Sequence, residues 1–112
     1  MSNIVFSPEA LSDLQKTKDY ISEELCSEQS AQNTVKKILN HIKTLSVFPE
    51  SGAPLSSVTC FETDYRFFVC GNYTAFYKYE DNSVYVVRIL YNRRDFMRIL
   101  FEGKNDNTMT DN

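Results

Sequence analysis

The residues best equipped for chemistry in this 112-residue chain are its arginines, and all five of them (Arg66, Arg88, Arg93, Arg94 and Arg98) fall in one C-terminal stretch. A guanidinium is planar, permanently charged and able to grip carboxylate or phosphate oxygens bidentately, so the cluster marks a surface for binding anions. Other reactive residue types are sparse. His41 is the single histidine and lies on the polar side of a helical stripe, where a solvated surface role is expected. Cys26, Cys60 and Cys70 are an odd number without metal-type spacing, which reads as reduced, partly buried thiols. The sequence points to no metal and no cofactor.

Charge is unevenly distributed. Residues 1–65 hold five Lys against nine acidic residues, giving −4, whereas residues 66–101 hold five Arg and one Lys against three acids, giving +3. The remaining tail adds −2, for a total of −3. That total argues against a general nucleic-acid binder, and the arginine clustering reopens the question. With 42% apolar and 24% charged residues the composition is that of a globular protein, and the length suits one domain. No stretch approaches the roughly 20 apolar residues of a membrane-spanning helix. The start lacks a basic region followed by a long apolar run, so a cytoplasmic protein with no membrane association is expected.

The elements that must position the arginines follow from periodicity. Residues 3–6 form a short apolar run, closed by Ser7-Pro8, a good N-cap followed by proline at the first helical position. Leu11, Leu14, Ile21 and Leu25, with Ala10 and Tyr20 alongside, then recur at helical spacing. Ser27 is placed to cap a second helix carrying Ala31, Val35, Ile38, Ile42 and Leu45, which makes a helical hairpin with the first. After the turn-rich segment 48–54 the pattern becomes that of strands, over residues 61–70, 73–79 and 84–90. Gly71-Asn72 and Asp81-Asn82-Ser83 separate them as hairpin turns. A short helix is expected over 94–101 and a disordered tail from 103. The predicted class is α+β, in the order β-α-α-β-β-β with a short C-terminal helix: a twisted antiparallel sheet with the helical hairpin packed on one face.

Four segments, in this order and at these spacings, resemble toxins of the RelE/ParE superfamily, the plasmid stabilisation family of type II toxin–antitoxin systems. "IVFSPEALSDLQKTKDYI" resembles the first strand and its Ser-Pro helix cap, and "LSVFPESGAPL" the loop after the second helix. "YRFFVCGNYTAFYKYEDNSVYVVRILYNRRDFMRIL" resembles the remaining strands, with the Tyr-Arg pair, the Gly-Asn-Tyr turn and the Arg-Arg-Asp near the end. The likeness spans about residues 3 to 101, which places a toxin domain at 1–102 and a tail at 103–112. It implies a growth-inhibiting toxin neutralised by a cognate antitoxin. One branch of the superfamily cleaves messenger RNA on the ribosome; the other blocks DNA gyrase.

RNA cleavage through the 2′-OH needs a base, cations for the developing phosphorane charge and an acid for the leaving oxygen. Arg66 and Arg93 match two arginines used by the nucleases of the first branch, and a closed sheet is expected to turn both toward one concave surface. The lysines those nucleases carry in the loop before the second strand are missing, since the loop reads Ser51-Gly52-Ala53-Pro54-Leu55-Ser56-Ser57. Their C-terminal Tyr or His has no counterpart among Phe96, Met97, Arg98 and Ile99. Tyr65 and Tyr91 are the available phenols, poor bases unless cations lower their pKa. Arg88, Arg93, Arg94, Arg98 and Tyr91 are the candidate contacts to a target or antitoxin; strand alternation puts Arg88 on the face opposite Val87 and Ile89, and a structural role is the leading expectation for Arg88, Arg94 and Arg98. The acidic first half and the missing acid and base favour a gyrase-directed or otherwise non-nucleolytic toxin. The alternatives are a ribosome-dependent mRNA endonuclease and a degenerate member that only binds antitoxin.

Overall fold

Ser7 starts the first helix as its residue type dictates, its Oγ accepting from the Ala10 N–H at 2.9 Å. The same hydroxyl donates to the Val87 carbonyl at 2.7 Å, so the cap also ties the helix to a strand 80 residues away. The structure, a computed structural model, describes residues 2–57, 62–91 and 100. In chain order these form β1 (Asn3–Phe6), α1 (Pro8–Glu24), α2 (Glu28–Thr44), β2 (Ala53–Pro54), a 3₁₀ turn (Leu55–Ser57), β3 (Arg66–Cys70), β4 (Tyr73–Glu80) and β5 (Ser83–Tyr91).

The sheet order is β1-β5-β4-β3-β2. The expected meander β3-β4-β5 is antiparallel throughout. Its two turns follow from local chemistry: Gly71 takes φ 62°, and Asp81 and Asn82 take φ 54° and 60°. These are left-handed conformations that Gly, Asn and Asp tolerate best and that match the twist of the flanking strands. The α+β architecture is as predicted, with one difference in strand direction. β1 lies beside β5 in parallel, Asn3 opposite Ser83 and Phe6 opposite Val86, so the sheet is mixed. The helical hairpin between β1 and the meander acts as the crossover that a parallel neighbour requires. The strand predicted over 61–70 is described as strand only from Arg66, and β2 adds a fifth strand that the turn-rich composition of its segment concealed.

The main core lies between the helical hairpin and the sheet, built from Ala10, Leu14, Ile21, Ala31, Ile38 and Ile42 against Phe68, Ala75, Tyr77, Val84, Val86 and Ile89. The stripe expected on α2 holds, with Ala31, Ile38 and Ile42 buried. On α1 it is rotated: Leu11, Tyr20 and Leu25 are exposed at 54%, 58% and 62%, while polar Asp13 and Thr17 are buried between Ala10, Leu14 and Ile21. A smaller cluster of Leu55, Phe76, Leu90 and Leu100 covers the other face of the sheet. His41 is not a free surface residue; its ring stacks on Phe68 at 3.9 Å between centroids, 12° from parallel. The helix expected over 94–101 and the tail lie outside the described residues, apart from Leu100.

Candidate functional site

Of the six residues singled out from the sequence, Arg66, Arg88 and Tyr91 are described; Arg93, Arg94 and Arg98 lie outside the described residues. Arg66 opens β3, paired with Pro54 on one side and Tyr77 on the other. Its Nη1 donates to two loop carbonyls, Gly52 O at 2.6 Å and Glu50 O at 3.2 Å. Tyr77, fully buried, completes the clamp on this loop: its hydroxyl donates to Pro49 O at 2.8 Å and accepts from Gly52 N at 3.0 Å. Burial pushes the Tyr77 phenol pKa up, against the smaller opposing effects of the Gly52 N–H and Arg66. Residue 52 must be glycine for this approach, since a Cβ there would meet Tyr77 Oη at 2.5 Å and Phe67 O at 2.8 Å.

Arg66 is bonded to neutral carbonyls, and no ion pair joins it to a carboxylate among the described residues. Among the described residues its charge is therefore held in place without being cancelled. Beside it, Tyr65 packs with the smaller cluster, and Lys78 Nζ lies 5.9 Å over the Tyr65 ring.

Arg88 meets a different environment. Its Nε and Nη2 donate to Asp13 Oδ2 and Oδ1 at 2.8 and 2.9 Å, a bidentate pair in which the carboxylate side chain is only 8% exposed. Asp13 Oδ2 also accepts from the Ile89 N–H at 3.0 Å. The hydrogen bonds Arg88 donates to Asp13, more than the charge of the carboxylate, raise the Arg88 pKa against the cost of burial. The simple alternation expected around Arg88 fails here for a visible reason. Tyr77 pairs with Val86 and Phe76 with Arg88, so Val87 is the extra residue of a β-bulge. Val84, Val86 and Ile89 accordingly all enter the main core, while Val87 packs against the smaller cluster.

Tyr91 ends β5, 44% exposed, its ring edge-on to Tyr73 at 5.4 Å. Tyr73 is buried, and desolvation raises its pKa over the opposing hydrogen bond with Thr17. Tyr20, Tyr73 and Tyr91 are shared by two adjoining grooves of about 350 and 480 Å³, the first lined also by Asp13, Lys16 and Thr17 and the second by Glu24, Lys37 and Asn72. The fold does not bring Tyr91 to Arg66. Arg66 is level with Tyr77 and Val86, five residues before Tyr91, or on the order of 15 Å along the strands.

Sequence reasoning missed Asp13, Gly52 and Tyr77 as the residues that hold the arginines' surroundings. For Asp13 a signal was present: it falls on the same helical face as Ala10, Leu14, Thr17 and Ile21 once polar residues are admitted to the stripe. Among the described residues no cluster of His, Cys, Asp and Glu has the makings of a metal site, and no helix is long and apolar enough to cross a membrane.

No curated protein matches the chain. Among solved structures, the chromosomal ParDE toxin–antitoxin system of P. aeruginosa superposes with a TM-score of 0.67 at 19% identity, over 81% of this chain and 96% of that one. The RelBE2 toxin–antitoxin complex of Mycobacterium tuberculosis superposes with a TM-score of 0.56 at 18% identity, over 80% of this chain and 96% of that one. At these identities the likeness is one of fold. The family model described as "ParE toxin of type II toxin-antitoxin system, parDE" matches residues 4–96, and the chain therefore belongs to the ParE toxin family within the RelE/ParE superfamily.

Proposed function

We propose that this toxin arrests growth in the cytoplasm by a gyrase-directed or otherwise non-nucleolytic route, and that a cognate antitoxin neutralises it. The observation that carries the first part is the engagement of Arg66. The one described arginine that resemblance links to phosphate binding commits its Nη1 to Gly52 O and Glu50 O, in a loop without lysine. Its arrangement supports a structural task first. The acidic first half of the chain is also a poor match for a surface that docks on ribosomal RNA.

The antitoxin reading is supported by the two solved neighbours, whose names describe toxin–antitoxin complexes. An acidic segment is the expected counterpart of Arg93, Arg94 and Arg98, and reversing Arg93 and Arg94 to Glu should weaken co-purification with the antitoxin. Capture unchanged by the reversal counts against that electrostatic part.

One observation favours the second reading, a ribosome-dependent mRNA endonuclease: Arg66 keeps an uncancelled charge beside Tyr65, over whose ring Lys78 is placed. Primer extension on translated messages after induction separates the two. The gyrase-like route predicts DNA breaks and an SOS response without codon-specific cuts. Cuts present in the native protein and reduced roughly a hundred- to a thousandfold in Arg66→Ala, the loss expected for a transition-state anion contact, would establish the nuclease instead. Normal growth with folded protein would favour a member that only binds antitoxin.

A further inference from the structure

Residues 1–65 carry five Lys against nine acids. A groove of about 450 Å³ along the helical hairpin nevertheless gathers three of those lysines and, among the described residues, no acid. Lys36 and Lys43 line it from α2, seven residues or about 10 Å apart along the axis. Lys18 lines it from α1 and is only partly exposed. Val35 and Leu39 supply the apolar lining, Leu39 still 36% exposed, and the amides of Gln32 and Asn40 complete it. Leu11, also exposed, lies seven residues before Lys18 and so on the same side of α1. The helices have little use for these charges themselves. Lys43 sits in the last turn of α2, where a cation complements the helix dipole, but Lys18 and Lys36 are mid-helix, where that effect has died away.

We propose that this groove seats an acidic amphipathic helix of a partner protein. From Gln32 to Lys43 it runs along α2 for about 16 Å, or three turns of a helix laid beside it. Acids seven residues apart on that helix meet Lys36 and Lys43, and its apolar face covers Val35 and Leu39. A nucleic-acid strand is the poorer fit, because it brings phosphates to the lysines but nothing to the apolar lining. The −4 charge of residues 1–65 also repels a long polyanion, whereas screening over about 10 Å lets a short acidic helix respond mainly to the nearby lysines. The proposal is independent of the arginine stretch and of the route of growth arrest.

The test titrates a synthetic amphipathic peptide into the full chain and follows backbone NMR. The peptide carries Leu on one face and Glu at seven-residue spacing on its flanks. Resonance shifts should fall on residues 18 and 32–43, and binding should weaken as salt rises. A peptide with Gln in place of Glu, and a scrambled one of the same composition, should each bind roughly tenfold more weakly. Joint Lys18→Glu and Lys36→Glu should weaken binding of the Glu peptide by about tenfold, since each exposed ion pair is modest and reversal adds repulsion. If that double variant does not fold, Lys36→Glu with Lys43→Glu, both at exposed positions, carries the comparison.

Equal binding of the Glu, Gln and scrambled peptides, shifts outside the groove, or affinity unchanged by reversal overturns the proposal. So does an absence of shifts at about 1 mM peptide. Two rival occupants are read with the same variants. A thymidine oligonucleotide that shifts the same residues and binds more tightly than the Glu peptide makes this a polyanion site. Self-association of the native chain alone, lost when Lys36 and Lys43 are reversed, assigns the groove to a second copy. Either result overturns the acidic helix as its occupant.

Discussion

Arg66 and Arg88 belong to one cluster in the sequence, yet the fold treats them in opposite ways. Arg88 faces a buried carboxylate that cancels its charge and fastens it bidentately. Arg66 faces the carbonyls of a loop, which hold its position and leave its charge intact. A guanidinium paired with carboxylate has little left to offer an external anion; one resting on carbonyls still presents its field. Among the described residues, charge counted along the chain therefore overstates the basic surface by one arginine. The acid that removes it comes from α1, 75 residues away.

The contrast can be broken by substitution. The largest effect belongs to Arg88→Met, which strands the Asp13 carboxylate in a buried place. Removing one partner of a buried pair costs about 3–5 kcal/mol, and denaturant unfolding should read a loss of that size. A loss under about 1 kcal/mol would show that water or another cation compensates Asp13, and the two arginines would differ less than the geometry indicates.

On the Arg66 side, Tyr77→Phe deletes the hydroxyl between Pro49 O and Gly52 N and should cost about 1–3 kcal/mol at neutral pH, the penalty for unpaired buried polar groups. It should also change the pH response. The Tyr77 pKa is raised in the folded protein, mainly by burial. Below the unfolded value near 10 its contribution is fully present; as pH rises through the folded value it is lost, because the unfolded chain gives up its proton more readily. Stability should thus fall above about pH 10, and more shallowly in Tyr77→Phe than in the native chain. An identical alkaline slope in both would assign the effect to other groups, Tyr73 among them.

Gly52→Ala probes the same clamp from the other side. Its Cβ would need the phenol and the Phe67 carbonyl to give way, at about 1–3 kcal/mol for overpacking. If the loop instead shifts freely, the variant will unfold at the native midpoint, and Arg66 will not be rigidly held. The smallest effect is expected for Tyr91→Ala, which loses an edge-on aromatic contact with Tyr73 worth about 0.5–1.5 kcal/mol. Because Tyr91 lines the groove without taking part in either arginine's anchorage, a larger loss would tie the groove to the end of β5.

The sequence by itself determined the local structure. Ser7-Pro8 and Ser27 start the helices because their side chains satisfy first-turn N–H groups. Gly71 and Asp81-Asn82 set the hairpins because those residues accept positive φ. The arginine cluster and the family likeness were legible for the same reason, being properties of residue type and order. Tertiary structure alone decided the direction of β1, the bulge at Val87 and the partners of Arg66 and Arg88. These depend on contacts between residues far apart in the chain, where no periodicity operates. Asp13 shows why: a carboxylate on a helix is read as solvent-facing until a guanidinium and a strand amide are placed against it, and only folding brings those donors within 3 Å.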